Sequence, residues 1–183
     1  MAVTADDLRR KPARSVEQSA WFETAFNEHW GRVYGVLFRL VGERAEAEDL
    51  ALEAFWRLYR RPPSSRDNLA GWLYRVAANL GLNALRTQQR RIRYEEQAGR
   101  EALASSYPVD PADEAELIEQ RRLVQAALTK MKARSARLLV LRHSGLSYAE
   151  VAAAEGLLPG SVGTLLARAE AEFEKAYREI GGD

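Results

Sequence analysis

The sequence predicts an all-α protein: two small helical domains joined by a flexible acidic linker, the second domain a helix-turn-helix. Three observations carry this. Apolar residues recur at three- and four-residue steps through residues 21–86 and again through 117–177, the period of helices that bury one face. Charge is segregated along the chain. The first 20 residues carry four basic and three acidic groups, residues 21–93 twelve and eight, 94–116 one and seven, and 117–183 ten and eight. Finally, helix cap, turn and restart residues follow one another in the order Ser147, Gly156, Pro159.

Residues 1–20 mix charge, Pro12 and small polar residues without apolar periodicity and read as a flexible tail. From Trp21 a helix is expected, with Phe22, Phe26, Trp30, Val33, Val36, Leu37 and Leu40 on one face and Gly42 ending it. A second helix, about 44–60, turns Ala47, Leu50, Ala54, Phe55 and Leu58 inward and Glu46, Asp49, Glu53 and Arg57 outward. No histidine or nucleophile lies near those carboxylates in sequence, so a binding face is the better reading than an acid–base pair. Pro62 and Pro63 stop that helix. The loop that follows, Ser64, Ser65, Arg66, Asp67 and Asn68, is either a plain connector or a cup for a small polar ligand.

The stretch WLYRVAANLGLNALR, residues 72–86, organises the first domain, 21–93. Leu73, Val76, Leu80 and Leu85 form its apolar stripe, while Arg75, Asn79, Asn83 and Arg86 form a face of amides and guanidiniums that is either the solvated face of a core helix, the reading periodicity alone favours, or one suited to phosphates and base edges. Trp72 adds a ring on which a base can stack. Residues 94–116, with Gly99, Pro108 and Pro111, form the linker. The second domain, 117–180, opens with one helix containing Leu117, Leu123, Val124, Ala127, Leu128 and Met131 and a second over 136–142. Ser147 and Glu150 have capping-box spacing, Gly156 is the left-handed turn residue, and Pro159 stands at a first helical position. With small Ala152 at the close approach and apolar Val151, Val162 and Leu166, these read as a helix-turn-helix, the alternative being a plain helical hairpin.

The totals exclude much. Without cysteine there is no disulfide, thiolate metal site or thiol nucleophile, and His29 and His143 are too few for a metal cluster and read as partly buried side chains. No cofactor is expected, and no Gly-rich phosphate loop or nucleophile suggests an enzyme. Nothing resembles a signal peptide or membrane span, so a soluble cytoplasmic protein is expected.

Taken in order, the segments AEAEDLALEAFWRLYR (45–60), WLYRVAANLGLNALR (72–86), LLVLRHSGLSYAEVAAAEG (138–156) and GSVGTLLARA (160–169) resemble the extracytoplasmic-function branch of the sigma-70 family of bacterial RNA polymerase sigma factors. The likeness covers residues 22–177. It implies a protein that binds core RNA polymerase and directs promoter-specific initiation. On that resemblance Asp49, Leu50, Glu53 and Phe55 bind the coiled coil of the β′ clamp. Ser64, Ser65, Arg66, Asp67 and Asn68 capture a flipped base of the minus-ten promoter DNA, with Trp72, Arg75, Asn79 and Arg86 along the strand. The linker threads toward the RNA exit path, and the helix-turn-helix packs on the β flap and meets the minus-35 element through Ser161, Thr164 and Arg168. An anti-sigma factor is a further candidate partner.

The departures have consequences. Leu52 stands where the family usually has Gln, and Asn83 where it commonly has Asp. In the recognition helix Gly163 and Leu165 replace the usual Lys and Arg. The groove-facing positions are then Pro159, Gly160, Gly163, Thr164 and Ala167, with no bidentate guanine reader, and Glu170, Glu172 and Glu174 beyond them repel phosphate. Weak or unusual minus-35 reading is expected. The alternative is a sigma-like regulator whose second domain binds protein and not DNA.

Overall fold

The computed structural model describes residues 11–64, 67–97 and 111–181. The described residues form seven helices and no strand: α1 Lys11–Val41, α2 Arg44–Arg60, α3 Leu69–Gln97, α4 Pro111–Lys130, α5 Ala133–His143, α6 Tyr148–Glu155 and α7 Pro159–Arg178.

The first three helices pack together as one unit. Along α1, Phe22, Phe26, Trp30, Tyr34 and Phe38 succeed one another at four-residue steps, with neighbouring ring centroids 4.8–6.4 Å apart. Phe55 of α2 meets Phe26 at 4.8 Å and Phe22 edge-on at 6.3 Å. Each such pair adds about 0.5–1.5 kcal/mol beyond its area burial. Gly42, at φ +78°, ends α1, and its N–H bonds to Phe38 O at 2.9 Å. Glu43 then starts α2, its carboxylate accepting from the N–H groups of Ala45 (2.8 Å) and Glu46 (2.7 Å).

Small residues bring α3 against α1. A Cβ on Gly81 would stand 2.5 Å from Leu40 Cδ1 and 3.2 Å from Leu40 Cβ, so the backbones approach where only hydrogen fits. Overpacking a core costs about 1–3 kcal/mol. Gly81→Ala recovers about 1 kcal/mol of helix propensity, whereas Gly81→Val recovers less and brings more bulk. Urea denaturation is expected to show Gly81→Ala mildly destabilised and Gly81→Val destabilised by about 2 kcal/mol or more.

In the second unit Ser147 and Glu150 form the expected capping box, at 3.2 and 2.7 Å. Gly156 is left-handed at φ +66°, and Pro159 opens α7. Leu138, Leu141, Leu146, Val151, Ala152, Val162 and Leu166 are buried between these helices. Glu172 of α7, expected to face outward and repel phosphate, accepts instead from Lys132 N–H (2.6 Å) and the Ser135 hydroxyl (2.7 Å). It supplies the start of α5 with the cap that Lys132 lacks.

One expectation changes. Residues 11–20, read as tail, belong to α1; with Pro12 in the first turn, where its missing N–H leaves no intrahelical bond unmade, the Trp21 helix can extend toward the N-terminus. The linker range, read with room for helix in part of it, is helical at both ends, 94–97 continuing α3 and 111–116 opening α4, while 1–10 and 98–110 lie outside the described residues. The two units pack together. α5 and α6 pack on α3, and the buried side chains of both units form one continuous apolar cluster.

Candidate nucleic-acid interface and protein-docking face

On the outer side of α2, Asp49 is exposed and Glu53 partly so, its carboxylate held by Arg57 at 2.8 Å. Beside them Leu52 is 49%, Trp56 52% and Tyr59 41% exposed. These three, with Phe22, Phe26 and Phe55, line an apolar groove of about 420 Å³. Large apolar side chains exposed together on one face mark a docking surface. Leu50 is half-buried, and Phe55, expected among the contact residues, is only 1% exposed. That is a correction: its spacing from Ala51 and Leu58 turns it into the core, where it supports the groove from beneath. Periodicity had Phe55 inward, and the family likeness carried it outward. Trp56 and Tyr59 were not singled out, although the run AFWRLYR holds them on the solvent side of α2.

The polar face expected over 64–86 is partly occupied. Ser64, Asp67 and Asn68 are exposed, while Ser65 and Arg66 lie outside the described residues. Asn68 Oδ1 accepts from Gly71 N–H at 3.2 Å, as an N-cap of α3, and its amide donates to Ala153 O of α6 at 2.7 Å. Trp72, Arg75, Asn79 and Arg86 are all half-buried on α3. Asn79 Oδ1 accepts from Arg137 of α5 at 3.3 Å, and Arg86 reaches Asn83 at 3.5 Å. Of the two histidines, His29 is half-buried, edge-on to Tyr74, and His143 is exposed.

Arg137 is the centre of the seam between the units. Its guanidinium bonds bidentately to Glu155 at 2.8 and 2.9 Å, and the Glu155 carboxylate is 2% exposed. The pairing raises the Arg137 pKa, so the cation persists at every physiological pH. Around it Arg32 pairs with Glu150 at 3.2 Å, the Gln125 amide donates to the terminal α1 carbonyls of Leu40 (2.7 Å) and Val41 (3.2 Å), and the Thr129 hydroxyl lies 2.9 Å from Gln89 Oε1. These partners are 40 to 118 positions apart, so no local pattern pointed to them.

On the recognition helix, Thr164 and Arg168 are exposed, and the Ser161 hydroxyl donates to Leu158 O at 2.8 Å. Leu158 is 79% exposed. Gly163 has room for a side chain, the nearest atom to a Cβ there being Tyr148 Cε2 at 3.6 Å. Its small size is not imposed by packing.

Two carboxylates in this region sit below the usual range: Glu43, through the N–H groups of Glu46 and Ala45, and Glu150, through Ser147 and then Arg32. A depressed pKa contributes stability that is present above the unfolded value, about 4.3, and lost as pH falls through the folded value. Glu46, raised by burial and then by Glu43, acts in the opposite sense. Melting temperature is therefore expected to hold near neutrality and fall below about pH 4, with a shallower fall in Glu150→Gln.

The comparisons with known proteins bear on this arrangement. Sigma-70 region 2 matches residues 25–91, which contain every lining residue of the apolar α2 groove except Phe22 and the polar α3 face from Trp72 to Arg86. The RNA polymerase sigma factor CarQ of Myxococcus xanthus is 31% identical over 166 residues, 88% of this chain and 90% of that protein. The chain belongs to the extracytoplasmic-function branch of the sigma-70 family. The ECF RNA polymerase sigma factor SigE of Mycolicibacterium smegmatis is 34% identical over 78% of the chain, and SigW of Bacillus subtilis 28% over 94% of it and 96% of its own length. The chain spans little more than half the length of SigE (56%) and of the probable sigma factor SigI of Mycobacterium tuberculosis (54%). The sigma factor RpoE of Bartonella quintana, solved with the anti-sigma factor NepR, has the same fold at 20% identity and a TM-score of 0.50, over 86% of this chain and 96% of that one. Among the described residues no helix is long and apolar enough to cross a membrane.

Proposed function

We propose that this protein is a specificity subunit of bacterial RNA polymerase that docks on the core enzyme and melts the minus-ten region of its promoters. The observation that carries the reading is the α2 groove within the region 2 match: an apolar strip of Leu52, Trp56 and Tyr59 flanked by Asp49 and Glu53, the composition of a protein-docking hot spot with a charged rim. The clamp coiled coil of β′ is its partner in this reading. Melting falls to the loop 64–68 and to Trp72, Arg75, Asn79 and Arg86, since keeping bases unstacked takes a pocket, a ring and cations, at a few kcal/mol per base. Because Asn68 and Asn79 are bonded to α6 and α5, promoter capture requires the second unit to move off α3.

The second unit, in the same reading, packs on the β flap, and Ser161, Thr164 and Arg168 give it weak purchase on the minus-35 element. A regulator whose second unit holds a protein is favoured by one observation, the exposed Leu158 at the head of a recognition helix without cations in its first two turns. An anti-sigma factor, as RpoE has, is a candidate occupant. Its place of action in either case is with the polymerase in the cytoplasm.

Fluorescence titration of labelled protein with purified core polymerase tests the docking step, and permanganate reactivity of promoter thymines in the resulting complex tests the melting step. Saturable binding with unpaired thymines near the minus-ten position is expected. Binding without melting favours the regulator, and no binding removes both readings.

A further inference from the structure

The seam is complementary along most of its length, where guanidinium meets carboxylate, amide meets carbonyl and hydroxyl meets amide. At the end where α3 passes α4 the Thr129–Gln89 bond crosses the seam, but the charges on its two sides are alike. There a cavity of about 690 Å³ opens between the units, lined by Arg86, Thr87, Arg90 and Arg93 of α3, by Thr129 and Lys130 of α4, and by two side-chain amides of α3. Among the described residues the lining holds four cations and no carboxylate. Arg90 spends its guanidinium on Arg86 O and the Thr87 hydroxyl, both at 3.3 Å, and among the described residues Arg86 reaches Asn83 at 3.5 Å. Among the described residues Lys130 has one distant carboxylate, Glu179 at 3.9 Å, on exposed side chains, where solvent leaves such a pair little energy. Like charges from two packed units thus face a common space whose size lies within the range of about 300–1,000 Å³ typical of small-ligand sites.

We propose that this cavity binds a compact oligophosphate, a chain of two or three phosphoryl groups, which bridges Lys130 of the second unit to Arg86, Arg90 and Arg93 of the first and holds the units together. Phosphate is the matching chemistry. Guanidinium forks bond its oxygens bidentately, an ammonium takes it as a point charge, and hydroxyls and amides complete the donors. Among the described residues no aromatic ring lines the cavity to stack a base, so recognition falls on the phosphates whether they arrive as an inorganic chain or on a nucleotide. On the reading of Arg86 and Asn79 as promoter contacts, such an anion also keeps the protein off promoter DNA. The binding itself does not depend on that reading.

The test uses the full chain at low salt, titrated with sodium tripolyphosphate and, in parallel, with magnesium-free ATP. Since the natural chain has no cysteine, Asn27→Cys and Ala171→Cys, at exposed positions of α1 and α7, take a dye pair that reads the distance between the units. Saturable binding, a raised melting temperature and increased energy transfer are expected, all weakening as salt is added. Lys130→Glu and Arg90→Glu, both at exposed positions, are each expected to weaken binding tenfold or more without lowering the melting temperature of the ligand-free protein. Equal affinity for the two probes assigns the site to the phosphate chain alone, and tighter binding of ATP assigns it to a nucleotide. Binding that Lys130→Glu leaves unchanged means that the anion sits on α3 without bridging and overturns the proposal, as does the absence of saturable binding by either probe.

Discussion

Trp56→Ala is expected to lower the affinity for core RNA polymerase by about thirtyfold or more, since a central tryptophan of a docking face is typically worth at least about 2 kcal/mol. The indole is 52% exposed, lies over Tyr59 at 5.9 Å and 17°, and has the Arg60 guanidinium 5.8 Å from its ring. It is thus held in place by neighbours that are themselves at the surface, ready to enter a pocket on a partner with little further loss of rotamer freedom. Its removal leaves Phe55 and Leu58 buried beneath, so the melting temperature should stay within a degree or two of the parent's, small surface effects being about 0.5 kcal/mol. Leu52→Glu is the companion variant, placing a charge in the middle of the groove. Titration of each with core polymerase checks the expectation, and unchanged affinity in both would remove the α2 groove from the docking role.

Arg137→Ala is expected to be the most destabilising exposed-to-seam change in the second unit. It leaves the Glu155 carboxylate, 2% exposed, without its cation. Breaking a buried pair in this way costs about 3–5 kcal/mol, and because the Arg137 side chain is itself 19% exposed, water can reach the vacated side and the lower end applies. At about 2–4 °C per kcal/mol for a chain of this size, the melting temperature should fall by about 6–12 °C. The double variant Arg137→Met, Glu155→Leu should regain most of the loss, because apolar residues of similar volume replace a buried pair at little or no cost. If Arg137→Ala melts with the parent, the pair is not what holds α5, α6 and α3 together.

What was legible in the sequence was local. The α1 run from Phe22 to Leu40, the buried stripe of Leu73, Leu80 and Leu85, the Ser147–Glu150 box, left-handed Gly156 and Pro159 at the head of α7 are each decided within about a turn or two of chain, and each is where its pattern put it. The seam was not legible. Its partners, Asn68 with Ala153, Asn79 with Arg137 and Arg32 with Glu150, are joined only by the tertiary fold. Arg137 looked like one more cation in ARLLVLR, and Glu172 like one more surface acid, because nothing adjacent in sequence says that a helix start or a carboxylate waits opposite. Phe55 teaches the reverse lesson. Helical period alone placed it inside, and likeness to a motif pulled it to the surface, where Trp56, one residue on, stands instead.

The most direct measurement is run-off transcription with purified core RNA polymerase, the intact chain and a pool of its host's promoter fragments. The account predicts discrete transcripts from a subset of those fragments, absent with core alone, with their start sites a fixed distance downstream of thymines made permanganate-reactive by this protein. Core binding without any specific transcript, under conditions in which a housekeeping sigma factor initiates from its own promoters, would contradict it.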